Sequence, residues 1–429
     1  MEIRSAAVVC VGTELLLGNI LDTNSRYIAS RLCETGIPLY RKFTVGDNPE
    51  RMKETFAQAL GCADLVIVTG GLGPTRDDLT RETVCELFGV DLIHSDEAEE
   101  NIRRRLAGRT VSENNLKQAY LPAGAVPFYN SRGTAPGFAL SAGGKTVIAL
   151  PGVPHEMKTM FDEWAIPLLR AQSGCVIVSR NLHVCGIGES RTDELLGELE
   201  ESRNPTVAPY CKSGETRLRL SARASTEAEA KLLLDGMERK IRASGVGAHI
   251  YYVTENDADA ERAAPLAALD RLRREGKTLS FAESITGGLL AKMITDIPGA
   301  SEHFLGSAVT YATEAKCALL GVREETVAKY GVVSEQTAAE MALGARERFG
   351  SDIAASTTGL AQASPDYKGA YTPDGKPIAP GTVCAAVADG DGVRTYTFAF
   401  GGGHGREYVR ELAAARIFHI LSGYTGGFS

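Results

Sequence analysis

Thr69-Gly-Gly-Leu-Gly-Pro-Thr75, followed at once by Arg76-Asp77-Asp78, is the first stretch of this 429-residue chain able to do chemistry. It follows the apolar run 65–68, and glycines after a buried strand let backbone N–H groups approach an anion without side-chain obstruction. It lacks the lysine of a P-loop and the spacing of G-x-G-x-x-G. Paired carboxylates beside such a loop suit a hard divalent cation bridging to phosphate oxygens. The competing reading is that Asp77 or Asp78 caps the helix expected over 79–88. Two more turns are expected at the same sheet edge: 11–18, carrying Glu14, and 151–157, carrying His155 and Glu156. A second stretch, Glu283-Ser-Ile-Thr-Gly-Gly288, opens a helix after a strand expected over 278–282. Ser284 would sit in the positive field of a helix N-terminus, and Thr286, Gly287 and Gly288 offer N–H groups to a phosphate or an oxyanion. A serine needs a base to attack an amide. No histidine is convincingly placed, His303 and His404 being the only nearby options; Lys316 fits better, because a desolvated lysine can be neutral near pH 7. Tyr311 can orient or relay, and Arg406 can hold a phosphate bidentately. Ser301 is a second hydroxyl for Lys316, and spacing does not rank it below Ser284. The competing reading makes Ser284 a helix cap and Lys316 a solvated helix residue.

These residues need sheets to position them. Residues 1–170 alternate apolar runs (6–11, 65–68, 145–150) with helical patterns such as 24–35, which implies a parallel sheet with crossover helices. Residues 171–255 read as the β-α-β-β-α-β pattern, within which strand 176–184, helix 189–201, strand 215–224, helix 227–242 and strand 248–253 are located. Arg217, Arg219 and Arg223 alternate along one face, expected to be solvated. Residues 256–429 form a third unit, with a helix near 258–275, a helix at 334–349 capped by Ser334, a hairpin through 389–392 and a last helix over 405–421. Lys and Arg number 46 against 54 Asp and Glu, a net charge of −8 that argues against a surface built wholly for nucleic acid. No apolar run approaches the roughly 18–20 residues that span a bilayer. The opening segment, interrupted by Glu2, Arg4 and Glu14, is expected to be a strand entering a turn rather than a signal peptide. Nine scattered cysteines without a C-x-x-C pair point to free thiols in a reducing compartment, so a cytoplasmic enzyme is expected.

VGTELLLGNILDTNSRYIASRL, VTGGLGPTRDDLTRETV, SRGTAPGF and LPGVPHEM resemble the N-terminal domain of the competence/damage-inducible CinA family. HVCGIGES with NPTVAPYCKSGETRLRLSARA is similar to that family's KH-like connecting domain. FAESITGGLLAKMIT, PGASEHFLGSAVTYATEAKCALLGV, VVSEQTAAEMA and HGREYVR are similar to its C-terminal domain. The resemblance implies an α/β chain of three domains: a molybdopterin-binding-like α/β sheet domain (1–170), a small α+β KH-like domain (171–255) and an α/β CinA C-terminal domain (256–429). It implies metal-dependent ADP-ribose pyrophosphatase activity at the N-terminus. There Asp77 and Asp78 would hold a divalent metal such as Mg²⁺ or Mn²⁺, with Glu14 nearby, and Gly70, Gly71 and Gly73 would cradle the pyrophosphate. At the C-terminus it implies deamidation of nicotinamide mononucleotide without a cofactor. It also implies a homodimer acting on small-molecule nucleotides. Gly186-Ile-Gly188 departs from the G-x-x-G of KH domains, so nucleic acid is not an expected partner. Where the family pattern is close to S-G-I-A-G-P, this chain has Thr358-Gly-Leu-Ala-Gln362-Ala363, and a longer loop follows. Thr358 still offers a hydroxyl there, whereas the changed backbone path favours an alternative: a nucleotide- or pterin-binding sensor or scaffold without turnover at the C-terminal site.

Overall fold

The computed structural model describes residues 3–426 apart from 34, 109, 174, 363–370, 402 and 404, so the expectations on Ala363 and His404 lie outside the described residues. The chain divides into two compact units: Met1–Val178 with Ala222–Leu233, and Ser179–Ser221 with Leu234–Ser429. No helix among the described residues is long and apolar enough to cross a membrane.

The first unit is built on β1 (Ala6–Val11), β2 (Leu39–Val45), β3 (Leu65–Thr69), β4 (Leu92–His94), β5 (Tyr120–Pro122), β6 (Val126–Phe128), β7 (Gly137–Ala142) and β8 (Lys145–Leu150). Six of them form one sheet in the order β2-β1-β3-β8-β7-β6; β4 pairs with β5 apart from it. β2, β1, β3 and β8 run parallel, and β7 and β6 close the edge antiparallel. Every residue of β1 is buried. Ala7, Val9 and Val11 share one core with Met52, Phe56 and Val84, while Ala6, Val8 and Cys10 share another with Ile28, Leu32 and Met157. A strand covered on both faces reads as an unbroken apolar run. Asn48 starts the helix Pro49–Cys62 by accepting from the Arg51 N–H, with proline in the first turn, where its missing N–H costs nothing.

Most of the second antiparallel sheet belongs to the second unit. Its strands are β9 (Val176–Val184), β10 (Thr206–Lys212), β11 (Glu215–Ala224) and β12 (Ile250–Thr254), in the order β10-β11-β9-β12. The helix expected over 189–201 is α-helical over Glu189–Leu196 and tightens into a 3₁₀ turn over Gly197–Glu201. The solvated arginine face is corrected in part. Arg217 and Arg219 are only 17% and 16% exposed and pair with Asp257, while Arg223 is exposed.

The third sheet holds β13 (Leu279–Glu283), β14 (Phe304–Val309), β15 (Ile353–Leu360), β16 (Thr382–Asp389) and β17 (Gly392–Ala399), in the order β14-β13-β15-β16-β17. β14, β13 and β15 are parallel; β16 and β17 form the expected antiparallel hairpin. Helices Ala263–Glu275, Leu289–Thr295 and Arg406–Leu421 bury Leu269, Ile294 and Phe418 on one face. The helix Glu335–Phe349, capped by Ser334 as expected, covers the other with Ala338, Met341 and Ala345. The helix expected near 258–275 breaks into Asp257–Ala260 and Ala263–Glu275.

Candidate active site

Parallel strands gather the loops that follow them at one sheet edge, and both candidate centres lie at such edges. At the second unit's edge, Ser284 follows β13, Tyr311 follows β14 and the helix Thr313–Leu320 begins just after it. That short helix carries Lys316 inward, and its side chain is fully buried. The Lys316 Nζ lies 3.0 Å from Ser284 Oγ, 2.7 Å from the Thr310 carbonyl oxygen and 3.3 Å from that of Tyr311. As an ammonium it donates to all three; as an amine it keeps both carbonyls and accepts the Ser284 proton. Burial pulls Lys316 down from 10.5 to about 8. Tyr311 is 62% exposed, and its hydroxyl accepts from Arg406 Nη2 at 3.0 Å. Ser284, Lys316, Tyr311 and Arg406 are thus brought together.

Other expected members are engaged elsewhere. Gly288 N–H donates to Glu283, and Gly287 N–H donates to the Ser284 carbonyl, so neither amide faces a ligand. The two glycines serve the turn itself, at φ +57° and +93°. The Thr286 hydroxyl pairs with that of Thr357 at 2.8 Å, and its carbonyl accepts from Arg410 Nη2 at 2.8 Å. The amides of Ile285 and Thr286, the two residues after Ser284, take no acceptor among the described residues. Thr358 donates to the Val332 carbonyl at 2.9 Å, on the opposite strand face from Thr357. Ser301 is exposed and precedes β14, which places it at the amino edge of the parallel strands, so it is no partner for Lys316. His303 lies at that same edge, bonded to the Lys277 carbonyl.

Glu283 was not singled out by sequence reasoning, yet it builds this centre. Fully buried, it accepts from the amides of Gly288, Leu290 and Ala291 and from Ser307 Oγ, at 2.8–3.0 Å. It thereby caps the helix Leu289–Thr295, whose own cap residue is glycine. Arg410 was missed too, although it lies one turn after Arg406 in the HGREYVR motif, at the spacing that puts both on one helix face.

In the first unit, the turns after β1, β3 and β8 meet. A Cβ on Gly70 would stand 2.2 Å from the Val11 carbonyl, and one on Gly152 would stand 3.4 Å from Gly70 Cα. Asn24, also unremarked in the sequence, ties the edge together. It donates to Thr69 Oγ1 at 3.0 Å and to the Gly152 carbonyl at 2.7 Å. A Cβ on Gly71 would strike Thr80 Oγ1 at 2.3 Å, and one on Gly73 would strike Asp78 Oδ2 at 2.5 Å. Packing and positive φ angles of +107° and +67° therefore require glycine at 70 and 71, whereas the contact at Gly73 is only with the movable end of the Asp78 side chain. Neither aspartate caps the next helix, which starts at Thr80 behind Leu79 with no side-chain cap. Asp78 instead accepts from the Thr75 N–H at 2.9 Å and from the Thr75 hydroxyl at 2.5 Å, and Asp77 is exposed. Glu14 is exposed with its carboxylate over Gly12, and no set of three metal-ligating acidic, histidine or cysteine side chains is found among the described residues. Glu14 is not gathered with Asp77 and Asp78. Two carboxylates beside a glycine-rich loop fit a cation that completes its shell with other oxygen ligands and water, as Mg²⁺ does. His155 is exposed, and Glu156 accepts from Asn130 Nδ2 at 2.6 Å.

A mixed α/β protein with a buried serine–lysine pair at one sheet edge and a glycine-rich loop with two aspartates at another is the class this geometry defines. Models of three families match in order: "Probable molybdopterin binding domain" over residues 7–171, "Damage-inducible protein CinA KH domain" over 179–251 and "CinA C-terminal domain" over 262–425. A relative from Caldicellulosiruptor saccharolyticus is 43% identical over 97% of this chain and 98% of its own. The CinA-like protein of Trichormus variabilis is 41% identical over 97% and 98%, and that of Dictyoglomus thermophilum is 44% identical over 82% and 85%. The chain belongs to the competence/damage-inducible CinA family.

Proposed function

We propose that the chain is a two-site nucleotide hydrolase whose C-terminal site deamidates nicotinamide mononucleotide to nicotinate mononucleotide and ammonia. The observation that carries this reading is the buried Lys316 amine 3.0 Å from Ser284 Oγ, with burial holding it near a pKa of about 8. In its neutral form Lys316 takes the Ser284 proton as the oxygen attacks the carboxamide carbon. The amides of Ile285 and Thr286 receive the developing oxyanion. The tetrahedral adduct collapses, the C–N bond breaks, and the proton on Lys316 goes to the leaving ammonia. Water then attacks the acyl-serine with Lys316 again as base, releasing the carboxylate and restoring Ser284. Arg406, braced by Tyr311, binds the nucleotide phosphate at the mouth.

The glycine-rich loop with Asp77 and Asp78 supports a second activity in the first unit, hydrolysis of ADP-ribose to AMP and ribose 5-phosphate. A divalent metal held by those carboxylates would neutralise diphosphate charge. Chromatographic product analysis tests both readings, with nicotinamide mononucleotide alone and with ADP-ribose plus Mg²⁺. Ammonia from the first, lost in Ser284→Ala, and AMP from the second, lost in Asp78→Ala, are expected. Nucleotide binding without either product would instead favour a sensor or scaffold.

A further inference from the structure

Beneath the glycine-rich loop lies a polar arrangement that neither reading uses. Arg81, the second residue of the helix Thr80–Phe88, is only 2% exposed. Its Nη2 donates to the Gly73 carbonyl at 3.3 Å, while Nε and Nη1 have no partner among the described residues. Gln118, 1% exposed, donates from Nε2 to the adjacent Leu72 carbonyl at 3.3 Å, and its Oε1 has no partner among the described residues. Two buried side chains thus hold consecutive loop carbonyls inward, and each keeps polar atoms unsatisfied. Burial pushes the Arg81 guanidinium down, with Glu82 and then Asp78 the carboxylates whose charge offsets this. Asp78 is itself packed on Gly73, so that glycine lies between the carboxylate and the guanidinium. A buried cation with free donors is a poor structural element, because apolar groups of similar volume fill such places more stably. Its free N–H groups suit an oxyanion, and a cation drawn to Asp78 would take up the carboxylate charge that Arg81 now shares.

We propose that Arg81 is a substrate-positioning residue of the N-terminal site, whose free N–H groups take a diphosphate oxygen when the glycine-rich loop shifts around the ligand. This rests on the diphosphatase reading and deepens it: the substrate must present a dianionic diphosphate, and Arg81 selects for it.

The test uses the full chain and two variants, Arg81→Met and Arg81→Lys, read by thermal melting and by calorimetric titration with pyrophosphate plus Mg²⁺. Without ligand, Arg81→Met should melt about 2–4 °C higher than the wild type, since the strained cation is gone. Its pyrophosphate affinity should fall about tenfold or more, with Arg81→Lys in between. A lower melting point for Arg81→Met would make Arg81 a structural tie and overturn the proposal. So would pyrophosphate binding equal to that of the wild type, which leaves the diphosphatase reading intact. A wild type that binds no pyrophosphate, like an Asp78→Ala control, overturns the diphosphatase reading and this proposal with it.

Discussion

Replacing Lys316 by Met should make the protein more stable at pH 7 while abolishing ammonia release. Lys316 is fully buried, and its fall from 10.5 to about 8 disfavours the charged form by about 3 kcal/mol. Because its pKa is lower in the folded chain, the unfolded chain binds the proton more tightly. The penalty is complete below about pH 8 and fades as the pH rises toward 10.5. Met fills a similar volume without charge. Against that gain stand the Thr310 and Tyr311 carbonyls, which lose their donor at roughly 1 kcal/mol each. The net is about 1 kcal/mol in favour of Met at pH 7, or about 2–4 °C in Tm for a domain of this size. By pH 9.5 about 2 kcal/mol of the penalty is gone, so the order reverses and the wild type melts higher. Scanning calorimetry of both proteins from pH 6.5 to 9.5, with ammonia release measured in parallel, checks the crossing. A Met variant less stable at pH 7, or a difference that does not move with pH, would refute the argument that Lys316 is a strained buried amine.

The logarithm of kcat/KM for ammonia release should climb with unit slope as Lys316 loses its proton and level above about pH 8; a flat profile removes Lys316 as the base. Glu283→Ala leaves three amides and a serine hydroxyl without their acceptor and should cost about 3 kcal/mol or more, read by urea unfolding. A loss below about 1 kcal/mol would show that water replaces the carboxylate. Arg406→Ala should raise KM about tenfold or more with kcat little changed if, as proposed, it binds a remote phosphate; a fall in kcat alone would place it at the chemistry instead. Thr358→Val should leave turnover within about twofold, since its hydroxyl serves the Val332 carbonyl. A large loss would return Thr358 to the site.

Much of this was legible because chemistry and topology share a local signal. β3 and its loop read directly as an apolar run ending in glycines, and Ser284 reads as a hydroxyl just beyond a strand. Glu283 was not legible, although it adjoins Ser284. Its role depends on amides five to eight residues on and on Ser307 of the neighbouring strand, a convergence that only the β13–β14 register creates. His183 and Glu215 form a fully buried pair at 2.7 Å, joined by Tyr251 from a third strand, and no local pattern announces it.

Ser301 marks a different boundary, because the sequence held the means to separate it from Ser284. A strand, a helix and another strand in one sheet imply a parallel pair. In a parallel pair, a residue after one strand and a residue before the next stand at opposite edges, about 16 Å apart for five-residue strands. Ser284 follows β13 and Ser301 precedes β14, so one lysine cannot serve both. The same reasoning sends His303 to the far edge and leaves Lys316, whose helix begins beyond the carboxyl end of β14, as the candidate base that chain direction allows. Spacing finds groups able to react; strand direction decides which of them meet.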